Sequence, residues 1–276
     1  MLPAQLTLGP LALRVHNIER MYAFYTQALG MTLHTQSDDD GSCLLGSDTQ
    51  VLLHLIPDVS AVPAPRNAGL YHAAYLYPTR AALATAIRTY VGTGLKLQGA
   101  SDHGVSEALY LSDPEGNGIE LYVDRPKSAW PSQNGQISMT TDPLDFASLL
   151  AEPDDAQFPI VGHIHLHVAD LVAARKFYVD VIGFDLVQQY GGQAEFVSAG
   201  GYHHHLGYNL WRGKNIPAAP DNATGLVWWT VNLPDADAQN TVIARLVAAN
   251  HPHTVQDGVV WVRDSVGIQM RIVVGA

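Results

Sequence analysis

The chain is short of several things, and each shortage excludes a class of protein. There is one cysteine, Cys43, among 276 residues, so no internal disulfide can form and no thiolate zinc site exists; a reducing cytoplasm is the expected setting. No apolar run approaches the ~18 residues that a membrane-spanning helix requires, and the start, MLPAQLTLGP, lacks a basic stretch followed by an apolar one. Basic residues are scarce, 15 Lys and Arg against 26 Asp and Glu, and the formal net charge is -11. Nucleic acid and anionic membranes demand basic surface, so neither is an expected partner. Charge of any sign is modest, at 15% of residues, against 47% hydrophobic ones, which is the composition of a folded globular chain. Its length suffices for one large domain or two ordinary ones.

What the chain has in plenty is histidine, thirteen in all. Several sit in strand-like runs, where a buried imidazole must find a partner or a metal. The chain also repeats itself. Residues 9–30, GPLALRVHNIERMYAFYTQALG, read as an alternating strand, Asn17 as helix N-cap, a helix with Ile18, Met21, Phe24, Tyr25 and Leu29 at helical spacing, and Gly30 as a stop. Residues 162–183, GHIHLHVADLVAARKFYVDVIG, follow the same plan at a constant offset of 153, with Asp170 in place of Asn17 and Phe177-Tyr178 in place of Phe24-Tyr25. A second pair, GLYHAAYLYP (69–78) and GLVWWTVNLP (225–234), is offset by 156. Helices are expected after each, over Thr79 to Val91 and Asp235 to Ala249, followed by two strands joined by a turn. Matching those turns lowers the offset to 151 at Asp113/Asp264 and to 149 at Gly118/Gly267.

The expected fold is therefore α+β, with four β-α-β-β-β modules at roughly 7–57, 69–124, 160–212 and 225–274. In sequence these make a first pair (7–124), a linker (125–159) with one short helix near Asp142 to Leu150, and a second pair (160–276). One such module cannot cover its own sheet, so modules must pair, two to a curved sheet around a pocket. Unpaired module edges are compatible with a homo-oligomer.

Two long stretches, GLYHAAYL and SDHGVSEALYLSDPEGNGIELYVDRP, together with GHIHLHVADL and GYHHHLGYNLW, resemble the vicinal oxygen chelate superfamily. That superfamily includes glyoxalase I, bleomycin-resistance proteins and type I extradiol dioxygenases, and the resemblance is strongest to two-domain bacterial catechol 2,3-dioxygenases. It implies metal ligands on the first and last strands of the modules. On first strands the equivalent positions are Pro10, His72, His163 and Trp228; on last strands they are His54, Glu120, one of His203 to His205, and Gln269. His72, Glu120 and His163 are then the expected ligands. They can meet only if the second module pairs with the third and the first with the fourth, and this nested pairing is the one expected. Two imidazoles and one carboxylate suit Fe(II) in oxygenases, and Mn(II) fits the same donors. The implied activity is ring cleavage of catechol or a substituted catechol with O2, in the catabolism of aromatic hydrocarbons.

The same resemblance gives Tyr110, ten residues before Glu120, and His103 roles in binding the substrate oxygens. His103 lies seven residues before Tyr110, and the alternative for it is a turn histidine bonded to backbone. The tract His203, His204 and His205 would supply the general acid/base. Read as a strand, it places His203 and His205 on one face and His204 on the other, and which of the three acts stays open. His165 and His167 share the face of His163, either lining the pocket or paired in the core, and His54 is expected to be structural. Two other readings of the chain are a glyoxalase-type lyase or isomerase, which needs a second carboxylate, and a metal-free drug-binding protein.

Overall fold

The computed structural model describes residues 1–133 and 135–275. Asn134, in the linker, and Ala276, at the end of the second module pair, lie outside the described residues. Two curved sheets carry the helices on their outer faces. The inner sheet runs in the order Asp185–Tyr190, Ala194–Ser198, Leu206–Asn209, Ile160–His167, Gly69–Tyr77, Gly118–Asp124, Ser106–Ser112, Gly99–Asp102. Its strands come from the second and third modules. The outer sheet joins the first and fourth modules through Leu11–Val15, which pairs antiparallel with Gly225–Leu233.

Period-two alternation explains which side of each strand meets the helices. In Gly225–Leu233, Trp229, Val231 and Leu233 are buried against the helical layer. Trp228 and Thr230 then project into the concave side. Helices begin where short polar side chains can accept from the first free amides. Asn17 caps Ile18–Gln27, Thr79 caps Arg80–Gly92, and Asp235 caps Ala236–Ala248. The helix of the third module departs from its repeat. It is α-helical only over Leu171–Arg175 and continues as a π-helix over Lys176–Ile182, closing where the Gly183 N–H donates to the Tyr178 carbonyl.

The two sheets are tied by a pair of equivalent buried hydrogen bonds. The Tyr25 hydroxyl of the first module donates to Asp113 of the second at 2.9 Å, and Tyr178 of the third donates to Asp264 of the fourth, also at 2.9 Å. Both aspartates hold tight turns of the same length: Asp113 N–H donates to the Asn117 carbonyl and Asp264 N–H to that of Ile268. No residues are missing from the later turn, so matching Gly118 with Gly267 misplaces the last strand by two. In the ladders, Glu120 lies opposite Ala74 and Tyr110, while Arg271 lies opposite Thr230 and Trp261. The fourth-module counterpart of Glu120 is Arg271, not Gln269. By the same register, Ala74 and Glu120 correspond in the third module to His165 and Gly207. A Cβ at Gly207 would sit 3.0 Å from the His165 ring, so a side chain there would have to displace that ring.

The segment 125–159 is more than a tether. It contains a 3-10 turn at Lys127–Ala129, a small hairpin of Ser132–Gln133 with Gln136–Ile137, and the helix Phe146–Leu150 capped by Asp145. It also bridges to the inner sheet, Asp142 pairing with Asp102.

Replacing Tyr25 by Phe removes one of the hydrogen bonds that hold the buried Asp113 carboxylate. The expected loss is about 1–3 kcal/mol of unfolding free energy, seen as a lower urea midpoint at unchanged slope, with Tyr178→Phe giving a loss of similar size.

Candidate metal centre and the cavity around it

The site is built where Gly69–Tyr77 meets Ile160–His167, and that junction is irregular in two places. His165 lies opposite His72 but Leu166 lies opposite Leu70, so Tyr71 is an extra residue; Val161 lies opposite Tyr75 but His163 opposite Ala74, so Gly162 is another. A bulge breaks the period of two and re-aims its side chain. Tyr71 and His72, neighbours in sequence, therefore both face the concave side. Gly162 is needed for a different reason: a Cβ there would fall 1.9 Å from the Tyr122 hydroxyl.

Across this junction the side chains of His72, His163 and Glu120 converge. His72 Nε2 lies 3.0 Å and His163 Nε2 3.2 Å from Glu120 Oε2, and the two Nε2 atoms are 3.3 Å apart. All three are buried, at 5%, 1% and 3% exposure. They are the one group of three such side chains, among the described residues, whose donor atoms lie close enough to share a cation. Burial works against charge on Glu120, but His163 and His72 outweigh it and hold the carboxyl well below its usual range. Burial depresses His163 to about 4, the Glu120 charge opposing it only in part. A carboxylate and neutral imidazoles are the forms that ligate. Cis donors about 2.1 Å from an octahedral ion lie about 3 Å apart, which is the spacing of this trio.

A cavity of about 380 Å³ opens over the trio. Its walls include Tyr71, Phe196, Trp211, Tyr190 and Met139, with His165 and His204 among the polar groups. This is the scale and mixture expected of a small-molecule pocket. Linker residues Met139, Thr140 and Thr141 form one wall.

His103 and Tyr110 meet at the cavity. His103 Nδ1 donates to the Thr140 carbonyl at 2.7 Å, which leaves Nε2 to accept from the Tyr110 hydroxyl, also at 2.7 Å. One nitrogen of His103 is thus bonded to backbone while the other positions Tyr110. Burial, reinforced by the Glu120 charge, raises the Tyr110 hydroxyl well above its ordinary range, so it stays protonated.

The histidine tract corrects the reading of it as a strand. Residues 199–205 form a loop, and the strand begins only at Leu206, so alternation does not apply to the three imidazoles. His204 lines the cavity, its ring centroid 4.1 Å from that of His163. His203 stands behind it, with Nε2 2.8 Å from Asp124 Oδ1 and Nδ1 2.8 Å from His204 Nδ1. His205 turns away and accepts from the Ala199 amide. Tyr202 stacks on His203 with centroids 4.1 Å apart and shares a 2.9 Å hydrogen bond with Tyr122. His165 and His167 divide the two alternatives between them. His165 lines the cavity and accepts from Asn209 Nδ2, whereas His167 donates to Asn209 Oδ1 outside it. His54 belongs to the outer sheet, far in the fold from the trio.

Tyr71, Tyr122, Asp124, Phe196 and Trp211 are cavity or supporting residues that sequence patterning does not single out. Only Asp124 carried a signal, as the charged end of the strand that bears Glu120.

With fold and geometry established, comparison places the chain. Residues 7–121 and 160–250 match the model of the Glyoxalase/Bleomycin resistance protein/Dioxygenase superfamily, and the chain belongs to that family. It is 44% identical over 254 residues to a catechol-2,3-dioxygenase of Bacillus subtilis (strain 168), covering 88% of each chain. It is also 30% identical over 131 residues to biphenyl-2,3-diol 1,2-dioxygenase 2 of Rhodococcus globerulus, covering 45% of this chain and 67% of that one. Among solved structures, glyoxalase I from Zea mays superposes with a TM-score of 0.61 at 16% identity, covering 98% of this chain and 92% of that one; this likeness concerns the fold alone. No helix is long and apolar enough to cross a membrane among the described residues.

Burial also depresses His167 and His205 to about 4 each. Both fold as neutral imidazoles, so unfolding takes up protons below the unfolded value near 6.5. Stability is complete above pH ~6.5 and falls as pH drops toward 4, by about 1–2 kcal/mol per group at pH 5. Urea midpoints at pH 7.5 and 5.0 measure the fall, and His167→Asn is expected to flatten it.

Proposed function

We propose that the protein is an extradiol ring-cleaving dioxygenase that inserts O2 into catechol or a substituted catechol, with Fe(II) held by His72, His163 and Glu120. The observation that carries this reading is the trio itself: two imidazole nitrogens and one carboxylate oxygen within 3.3 Å of one another at the floor of an aromatic-walled cavity. Three protein donors on one side leave room for a diol and a gas molecule on the other. Bound there, Fe(II) would supply the Lewis-acid and redox chemistry that ring cleavage by O2 requires; Mn(II) suits the same donors.

The chain's own groups account for binding and proton handling. Tyr71, Phe196 and Trp211 hold an aromatic ring and keep water from it. Tyr110, its O–H committed to His103, offers its oxygen lone pairs to a substrate hydroxyl. His204 is the general acid/base, and its tautomer is set at a distance. With Asp124 accepting from His203 Nε2–H, the acceptor lone pair of that ring lies at Nδ1. That lone pair accepts from His204 Nδ1–H, which leaves His204 Nε2 free to take a catechol proton. His203 is thus a positioning residue, and His205 stands outside the reaction.

Two features argue against a glyoxalase-type lyase. The third-module counterpart of Glu120 is Gly207, which brings no second carboxylate to the trio, and the His165 ring packs against it. A metal-free drug-binding role leaves three convergent ligand atoms without a use.

Protein loaded anaerobically with Fe(II) is expected to take up O2 with catechol and to develop the absorbance of the ring-opened product. Lack of O2 uptake with catechol, alkylcatechols and biphenyl-2,3-diol would overturn the assignment. Glu120→Ala and His72→Ala should lose both stoichiometric metal and activity. Asp124→Asn can present an amide N–H to His203 and reverse both tautomers; kcat should fall about 10–100-fold with metal content and KM kept and the acid limb of the pH profile displaced.

A further inference from the structure

The concave face of the outer sheet holds the same positions as the metal centre, with the chemistry reversed. Register places Arg271 where the inner sheet has Glu120, Trp261 where it has Tyr110, and Trp228 where it has His72. From the first module, His54 occupies the other position related to Glu120, opposite Ala12 and Leu44. The face that carries a carboxylate among imidazoles in one sheet carries a guanidinium among indoles in the other.

The guanidinium carbon of Arg271 lies 4.4 Å from the Trp228 ring centroid and 5.5 Å from that of Trp261. The two indoles stand edge to face, with centroids 6.2 Å apart, and the His54 ring is 6.0 Å from that of Trp228. Such contacts hold a cation but satisfy none of its N–H donors. Among the described residues the Arg271 side chain forms neither an ion pair nor a hydrogen bond, and its Nε is shielded from solvent. Directly opposite, Thr230 is 2% exposed and its buried Oγ1 is likewise without a partner. The half-buried His54 ring makes no side-chain hydrogen bond among these residues either. Buried polar groups nearly always have partners, and leaving them unpaired is costly. Two buried polar atoms, Arg271 Nε and Thr230 Oγ1, are left unsatisfied beside the half-buried ring of His54 on one concave face, which describes a binding site rather than a core.

We propose that the outer cup binds a small planar carboxylate, its oxygens on Arg271 with Thr230 and His54 as further donors, and its apolar body against Trp228, Trp261 and Leu44. A guanidinium fork matches a carboxylate in two parallel hydrogen bonds. The indole faces favour a flat hydrocarbon body over a compact inorganic anion. This site is separate from the proposed iron site, because its residues come from the first and fourth modules alone.

Benzoate is the probe, titrated by calorimetry into the Fe(II)-loaded full-length protein. Saturable binding of one benzoate is expected in the wild type and equally in Glu120→Ala, which removes a proposed iron ligand but nothing from the outer cup. Arg271→Met should weaken binding at least tenfold, and Arg271→Lys, which keeps the charge but loses the fork, by less. Benzamide and inorganic phosphate should each bind at least tenfold more weakly than benzoate. Trp261→Leu provides a second test that leaves the guanidinium in place, and it too should weaken benzoate. Ring cleavage should be unchanged in all the outer-cup variants. Absence of saturable binding, binding lost in Glu120→Ala but kept in Arg271→Met, or phosphate binding as tightly as benzoate would each overturn the proposal.

Discussion

Everything at the proposed metal centre depends on one antiparallel junction, between Gly69–Tyr77 and Ile160–His167. Among the described residues it is the one strand pairing that joins the second module's sheet to the third's, and it brings His72 and His163 together from opposite sides of the seam. Each strand carries one surplus residue, Tyr71 and Gly162, and these stand at the same place in the repeat. The surplus residues loosen the period of two where side chains must crowd onto one face. Regular pairing would turn Tyr71 away from the cavity that it now walls. The outer sheet repeats the device, since Leu226 lies opposite Leu13 and Trp228 opposite Ala12, with Val227 left over. The bulge is thus part of the module's construction, and the metal-binding chemistry is an addition to it.

Around the seam most buried polar side chains are paired, His163 Nδ1 and Thr140 Oγ1 being exceptions. The trio is surrounded by imidazoles whose second nitrogens are mostly occupied: His165 by Asn209, His204 by His203, His103 by Thr140. Occupying one nitrogen decides what the other can do. The linker enters this layer too. Thr140 orients His103, and Trp130 packs 5.2 Å from the His203 ring while its indole N–H donates to the Arg125 carbonyl. A stretch that joins two halves of the chain therefore also closes one side of the pocket.

The α+β class was readable from the sequence because the repeats preserve strand, cap and helix in step, with Asn17 and Asp170 at matching cap positions, whereas Thr79 and Asp235, read as the first helical residues, are caps too. The convergence of His72, Glu120 and His163 was readable only through the family resemblance, since no local spacing brings those residues together. What could not be read was set by register and by bulges. Glycines looked like the natural anchors for matching the last strands, yet the turns are built on Asp113 and Asp264, and the glycines differ by two places. The histidine tract looked like a strand because Leu206 to Asn209 is one. The backbone before it turns instead, so that His203 can face Asp124. Tyr71, Phe196 and Trp211 carry no pattern that separates a pocket wall from a core residue.

The nested order of pairing has a consequence for how the chain is made. The inner sheet is complete once Leu206–Asn209 has formed, from modules adjacent in sequence. Leu11–Val15, in contrast, must wait for Gly225–Leu233, whose Gly225 pairs with Arg14. At a synthesis rate of about 5–20 residues per second, the first module spends on the order of ten seconds or more with an apolar strand edge open. Leu11, Leu13 and Val15 are almost wholly buried in the finished protein, and an open edge of that kind invites pairing with other chains. The half that carries the proposed metal site can therefore be assembled while the other half is still the segment most exposed to misassociation, so the yield of folded protein depends on modules outside that site.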